Sequence, residues 1–284
     1  MPNNLSHMLE GQTLLLVGGG KMGMALMQGW IAAGLTPTQI MVQEPSPSAG
    51  LSAAGVTLNP SAEQLAAEAP NIVVLAVKPQ MIETVLPPLA QSLPRGALVL
   101  SLMAGVPIKT IAHLLGDAGA YVRTMPNTPA SIGKGMTGLY ADAQVSDAQK
   151  QASAALLGAV GQTVWLDTEK MIDAVTAISG SGPAYLFHLV EAMQAAGISL
   201  GLPEDMSRQL AMQTIIGAAA MLDEDHAEAA QLRRNVTSPG GTTEAALDVL
   251  MSERGMSDLM RRSAQAAANR AQELAQIGSD KSEQ

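Results

Sequence analysis

Short apolar runs recur along the first half of the chain: Thr13–Val17, Ile40–Val42, Ile72–Val77, Ala97–Leu102 and Tyr121–Met125. They are spaced roughly 25–30 residues apart, with helix-like segments such as Met22–Ala33 and Pro79–Gln91 between them. Strand, helix, strand at that interval predicts βαβ units and a parallel sheet. Ile72-Val73-Val74-Leu75-Ala76-Val77 has no polar position, as expected of a strand covered on both faces. Gly138–Ala141 and Thr163–Leu166 are further strand candidates, flanking a helical stretch from Asp147 to Val160.

The pattern changes near Asp167. From there on the chain shows long helical periodicity and no convincing strand, which predicts an α/β domain over 1-168 and an all-helical domain over 169-284. Pro203-Glu204-Asp205 opens one helix, since proline suits the first turn and acids there complement the helix dipole. Its continuation, Leu210–Leu222, is apolar almost all the way round, and a helix of that kind must be covered on every side. In a small second domain this implies packing against another subunit. The polar tail after Ile277 is expected to fray.

Composition narrows the function classes. The 284 residues carry 16 Lys+Arg against 25 Asp+Glu, a formal net charge of −9. That balance argues against nucleic acid and anionic membrane as partners, because both need clustered cations. Apolar residues make up 47% and charged residues 14%, so a sizeable core is affordable and disorder is not expected. There is no Cys, which excludes disulfides, thiolate nucleophiles and thiolate metal ligands. No apolar run approaches the ~18 residues of a membrane span. The first basic residue is Lys21, too late for the charged start of a signal peptide. A cytoplasmic protein is the expectation. With 18 Met and only 2% aromatics, the Met-rich stripes read as core filling.

The residues that carry chemistry begin at Gly18-Gly19-Gly20-Lys21-Met22-Gly23, a G-x-G-x-x-G after a strand and opening a helix. Gly18 permits the tight turn, Gly20 lets the backbone approach a pyrophosphate, and Gly23 lets the helix pack close to the strand. In that context the motif predicts a Rossmann dinucleotide site. The fingerprint expects an acid about 20 residues on, and Glu44 stands there. A carboxylate can accept from both ribose hydroxyls and repels a 2′-phosphate, which favours NAD. No Arg is near to welcome that phosphate, although Ser46 and Ser48 could donate to it. A solvated glutamate on a loop is the other reading.

Ala76-Val77-Lys78-Pro79 lies at the carboxyl end of a strand, where open α/β sheets bind ligands, and Lys78 is a candidate for the cofactor phosphates. Met103-Ala104-Gly105 ends the next strand and offers small residues for a nicotinamide pocket. Arg123-Thr124-Met125-Pro126-Asn127-Thr128-Pro129 reads as a rigid structural crossover. In the second half, Ser179–Tyr185 interrupts helical sequence with small residues. Val236-Thr237-Ser238-Pro239-Gly240-Gly241-Thr242-Thr243-Glu244 precedes a helix over Ala245–Leu250, and its free N–H groups could seat a carboxylate or phosphate. The four His residues (His7, His113, His188, His226) have no partner at metal spacing, and no metal site is expected. His188, on the apolar stretch Tyr185–Val190, reads as a core residue. A dinucleotide fold without an obvious general acid points to a reaction whose proton is already on the substrate.

Taken together, these strings resemble the pyrroline-5-carboxylate reductase family. The resemblance runs through Gly18–Met22, Ala76–Pro79, Met125–Pro129, Asp173–Ala177, Ser179–Tyr185 and, most specifically, Val236–Thr243. It implies a helical C-terminal domain that interlocks into homodimers, often assembled into decamers. The implied reaction is reduction of L-1-pyrroline-5-carboxylate to L-proline with NADPH or NADH. It further implies that backbone N–H groups of Ser238 and Gly240, Gly241, Thr242 and Thr243 hold the substrate carboxylate, and that the Thr243 hydroxyl meets the ring nitrogen. Asn235 then bridges to the cofactor, and Glu169 matches an acid near the substrate ring. Lys21 replaces a common Asn, Gly23 a frequent Ala, and Glu228-Ala229 a frequent His-Pro pair. Family members more often prefer NADPH, so both cofactors are expected with NADPH leading. The rivals are another two-domain hydroxyacid dehydrogenase or imine reductase, and a non-catalytic cofactor sensor. The former would need a base such as Lys170, which lacks its motif; the latter would not need Ser238–Thr243.

Overall fold

The computed structural model describes residues 5–116, 119–224 and 228–280, without the side chains of 276–280. His226 and the last four residues of the tail lie outside the described residues; the final helix, Met256–Asp280, continues past the point where fraying was expected. The chain forms two compact units. One comprises the described parts of Met1–Ser181 and Ala267–Gln284, the other Gly182–Ala266.

The first unit is built on one eight-stranded sheet: β1 Leu14–Val17, β2 Ile40–Gln43, β3 Thr57–Leu58, β4 Ile72–Leu75, β5 Ala97–Ser101, β6 Gly119–Met125, β7 Gly135–Ala141 and β8 Gly161–Trp165. The order is β3-β2-β1-β4-β5-β6-β7-β8. All pairs are parallel except β6–β7. Up to β6 this is the Rossmann order, with its reversal between β1 and β4. The expected α/β fold class is therefore observed, and the two-residue β3 is a strand the apolar pattern was too short to signal.

Continuous apolar strands are needed because both faces of the sheet are covered. Leu14 and Leu16 of β1 join Trp30, Ile40, Val42 and Leu156 on one face. Leu15 and Val17 join Met41, Val73, Leu86 and Ile111 on the other. Each such fully buried side chain contributes about 1.5–3 kcal/mol of transfer free energy. Trp30, the largest, is satisfied as well as buried: its indole N–H donates to Leu156 O at 2.9 Å. Ser146 caps the helix Asp147–Gly158 through a capping box with Gln149.

The second unit is helical. Helices Gly182–Ser199 and Glu204–Glu224 reverse at Leu200-Gly201-Leu202, where Gly201 takes φ +93° and Leu202 N–H donates to Gly197 O at 3.1 Å. They approach closely at small residues, since a Cβ on Gly197 would sit 2.8 Å from Ser207 Oγ. Little else is buried: of Glu204–Glu224, only Ser207 and Ala211. Leu210, Met212, Ile216, Met221 and Leu222 are all exposed in the single chain. His188 corrects the sequence reading. It is exposed and its Nδ1 lies 3.0 Å from Glu191 Oε2, because no residue of its helix, Gly182–Ser199, is buried in the single chain. No described helix is long and apolar enough to cross a membrane.

Candidate dinucleotide site and the helical signature

The site of the first unit lies where the strand order reverses. β1 and β4 run side by side in parallel and end at Val17 and Leu75, and the chain must turn sharply after each. Gly18 takes φ +104°, and a Cβ there would lie 2.7 Å from Ala76 O. Only glycine lets the two turns approach this closely. Gly23, buried in the following helix, allows that helix to sit against the Gly18 carbonyl. Gly20 is the helix N-cap, no side chain caps it, and a Cβ on it would meet nothing within 4 Å. The helix Lys21–Ala32 therefore presents uncapped N–H groups and its positive end to open space, which is what a pyrophosphate requires.

That space is a cavity of about 600 Å³. Among the residues expected at the cofactor, Gly18, Gly20, Glu44, Ala76, Val77 and Lys78 line it. A second cavity of about 260 Å³ shares Ala76 and Val77 and adds Met22, Leu102, Met125, Pro126, Asn127, Thr128 and Gly180. Lys21 is the exposed first residue of the glycine-loop helix, and Pro79 opens a short 3₁₀ turn. Met103, in contrast, is buried in the core, and Ala104 and Gly105 line neither cavity. Gly105 is instead covered by Leu274, 2.8 Å from where its Cβ would stand.

Sequence reasoning missed several residues. Met125-Pro126-Asn127-Thr128 is more than a crossover, since it walls the smaller cavity at the carboxyl end of β6. The strand-end rule that singled out Lys78 applied there equally. Asn127 pins a π-helical turn, Thr176–Gly180, to the sheet: its Nδ2 donates to Ser179 O at 3.2 Å and its Oδ1 accepts from Met136 N at 2.9 Å. Asn59 lines the larger cavity beside Glu44, where the Asn59-Pro60 turn dipeptide was the available signal; Ser46, a donor the sequence had already offered, lines it too.

Glu169 sits between β8 and the helix Met171–Val175. Its Oε1 accepts from Ile108 N at 2.8 Å, at the start of helix Ile108–Leu115, and from Arg123 Nη1 at 3.1 Å. Arg123 is buried in β6 and also reaches Asp173 at 3.8 Å. Burial raises the Asp173 pKa above its ordinary 3.8; the Arg123 charge pulls against that, and the Glu169 charge adds to it.

In the second unit, the signature string precedes helix Thr242–Leu250. Gly240 takes φ +68°, its N–H donates to Glu244 Oε2 at 2.6 Å, and Gly241 N–H donates to Ser238 O at 3.0 Å. Asn235 ends the preceding helix, with its Oδ1 accepting from Gln231 Nε2 at 2.7 Å.

Pseudomonas aeruginosa pyrroline-5-carboxylate reductase is 42% identical over 266 residues, 93% of this chain and 97% of that protein. The chain belongs to the pyrroline-5-carboxylate reductase family. Residues 169–274 match the family model for pyrroline-5-carboxylate reductase dimerisation, and residues 13–105 match that for NADP oxidoreductase, coenzyme F420-dependent. A reductase structure from Coxiella burnetii aligns with TM-score 0.86 at 39% identity, covering 94% of this chain and 99% of that one. A Plasmodium falciparum pyrroline carboxylate reductase with NADP bound aligns with TM-score 0.78 at 28% identity, over 94% and 99%. The chain thus carries this family's dimerisation region on the helices that leave apolar side chains uncovered.

Proposed function

We propose that this protein reduces L-1-pyrroline-5-carboxylate to L-proline, with NADPH and also NADH as reductant. The observation that carries this reading is family membership over nearly the whole chain. The residues present also suit the cofactor: an uncapped helix N-terminus at Gly20, open space before it, and a 600 Å³ cavity at the strand switch. When bound, the reduced nicotinamide supplies a hydride. Ala76, Val77 and Lys78 wall the larger cavity beside the glycine loop, and Lys78 adds a positive charge for the phosphates. Among the described residues, none that lines the smaller cavity has a titratable side chain. That suits a substrate whose imine nitrogen arrives protonated. As hydride adds to the ring carbon, the C=N π pair moves onto that nitrogen, and no side chain need deliver a proton.

By resemblance, the substrate carboxylate is held by N–H groups of Ser238 and Gly240–Thr243, and the Thr243 hydroxyl accepts from the ring N–H. With the Gly240 and Gly241 N–H groups engaged internally, those of Thr242 and Thr243 support this role most. Asn235 toward the cofactor, Glu169 near the ring and the backbone of Met103–Gly105 beside the nicotinamide belong to the same reading. So do the division into a cofactor domain, 1–168, and a substrate and dimerisation domain, 169–284, and a homodimer that assembles into decamers in the cytoplasm. Loss of reduced-nicotinamide absorbance on adding pyrroline-5-carboxylate, with proline formed in equal amount, is the expected result. A folded protein that binds the cofactor yet forms no proline would overturn the reading.

A further inference from the structure

We infer that Asn127 is a positioning residue for the reaction: its amide ties together two walls of the smaller cavity and so shapes the pocket for the nicotinamide half of the cofactor. The inference rests on the dinucleotide-reductase reading above. One wall is Met125–Thr128 at the end of β6, and the other is Gly180 of the π-helical turn. The Asn127 side chain is engaged at both ends. Its Oδ1 accepts from Met136 N, in β7, at 2.9 Å. Its Nδ2 donates to Ser179 O at 3.2 Å and to Ser179 Oγ at 3.1 Å. The Ser179 hydroxyl in turn lies 3.5 Å from Met136 O. Three segments are thereby joined through one amide.

The π turn needs that donor. Ser181 N–H donates to Thr176 O at 2.8 Å, one residue further along than in an α-helix. The α-helical partner of Ser179 O would be the N–H of residue 183, and Pro183 has none. A carbonyl left over in this way must find a donor elsewhere, and Asn127 Nδ2 supplies it. Asn127 is also the N-cap residue of the 3₁₀ turn Thr128–Ile132, yet its side chain makes no cap there. An asparagine in that place ordinarily caps its own turn; this one is directed to another segment. The two walls meet closely as a result, since a Cβ on Gly180 would lie 2.7 Å from Met125 Cε.

The smaller cavity shares Ala76 and Val77 with the larger one, but Asn127 and Gly180 line only the smaller. The glycine loop and Glu44 line only the larger. The two cavities divide a dinucleotide between them, with the ADP half at the glycine loop and the nicotinamide beyond Ala76 and Val77. Loosening Asn127 therefore disturbs the second half and leaves the first. Hydride transfer needs its two carbons held in close alignment, so a small shift of either wall slows it. Aspartate at this position is informative. Its carboxylate still accepts from Met136 N–H but repels Ser179 O; once protonated, it donates to that carbonyl again.

The test is calorimetric titration of the full-length protein with ADP and with NADH, which differ in the nicotinamide half. Alongside it, kcat for pyrroline-5-carboxylate is measured from about pH 7.5 down to about pH 5.5, above the ordinary aspartate range. Asn127→Asp is expected to weaken NADH at least five-fold relative to ADP, with ADP binding kept within three-fold. Its kcat should fall at least thirty-fold and recover at least five-fold, relative to wild type, as the pH is lowered. Asn127→Ala should show the same losses without the recovery. Ser179→Ala removes only the hydroxyl partner and should weaken NADH about two- to three-fold relative to ADP; it decides the matter if the Asn127 variants do not fold. An unchanged ratio of NADH to ADP overturns the inference. So does an equal loss of both ligands, or a flat pH ratio for Asn127→Asp, either of which would make Asn127 a brace of the fold only. A shifted binding ratio in a protein whose wild type forms no proline upholds the inference and removes the reductase reading. Failure of the wild type to bind either ligand removes both.

Discussion

β1 and the helical segment Leu210–Leu222 are similarly apolar, yet they end in opposite surroundings. Leu14, Leu15 and Leu16 are at 0% exposure, whereas Leu210 and Ile216 stand at 52% and 56%. Both read as apolar in sequence, with Gln213 and Thr214 the only polar residues of the helical segment. The difference lies in what each element has to pack against within one chain. A parallel strand at the centre of a sheet receives neighbours on both edges and helices on both faces from the crossovers that make it parallel. A helical pair of two elements can bury only one stripe of each partner. The sheet unit is thus completed by its own chain, and the helical unit by a second copy, in keeping with the family's dimerisation region.

The sharpest way to break that contrast is to charge the uncovered face. Ile216→Arg is expected to weaken self-association at least 100-fold by light scattering, since an unpaired charge in an apolar interface costs about 3–5 kcal/mol. The same variant should keep ADP binding within three-fold, because the dinucleotide cavity is built wholly from the first unit. Next in size is Leu16→Ala. It removes a side chain from the middle of the sheet and is expected to cost about 2–5 kcal/mol in urea melts. Leu210→Ala in the dissociated Ile216→Arg background should cost under about 0.5 kcal/mol, as at an exposed site. Equal costs at the two leucines would end the comparison.

Smaller effects belong to single turns. Gly18→Ala forces a Cβ to within 2.7 Å of Ala76 O at φ +104°, a strain of about 1–3 kcal/mol. The KM for reduced cofactor should rise about ten- to 100-fold with little change in association state. The smallest expected effect is on pH dependence within the sheet unit. With the Asp173 pKa raised by burial, the unfolded chain ionises this carboxyl first. Folded stability therefore falls as pH climbs upward from the ordinary value of 3.8. Asp173→Asn should flatten that decline in melts taken upward from pH 3.8, while Arg123 keeps its Glu169 partner at 3.1 Å.

What could be read from the sequence follows the same division. The strands and the glycine turn were legible because local geometry dictates residue type: buried strands must be apolar throughout, and a φ of +104° against a carbonyl admits only glycine. Thr57–Leu58 was not, being too short to carry a period. That the Gly19 N–H meets Glu44 was hidden because the two lie 25 residues apart. Likewise Glu169 meets Arg123 and Ile108, 46 and 61 residues away, and neither spacing nor composition signals such a pairing. His188 misled for a different reason: it lies on an apolar stretch, yet no residue of its helix, Gly182–Ser199, is buried in the single chain. The signature Ser238–Thr243 was legible as a motif, but the internal use of the Gly240 N–H by Glu244 was not.

The most direct test of the account is the specific activity of pyrroline-5-carboxylate reduction as the wild-type protein is diluted through its dissociation range. Activity is expected to fall in step with the dimer fraction, because the helix that carries Thr242 and Thr243 has no buried residue in the single chain. Constant specific activity at concentrations where the protein is monomeric would contradict it.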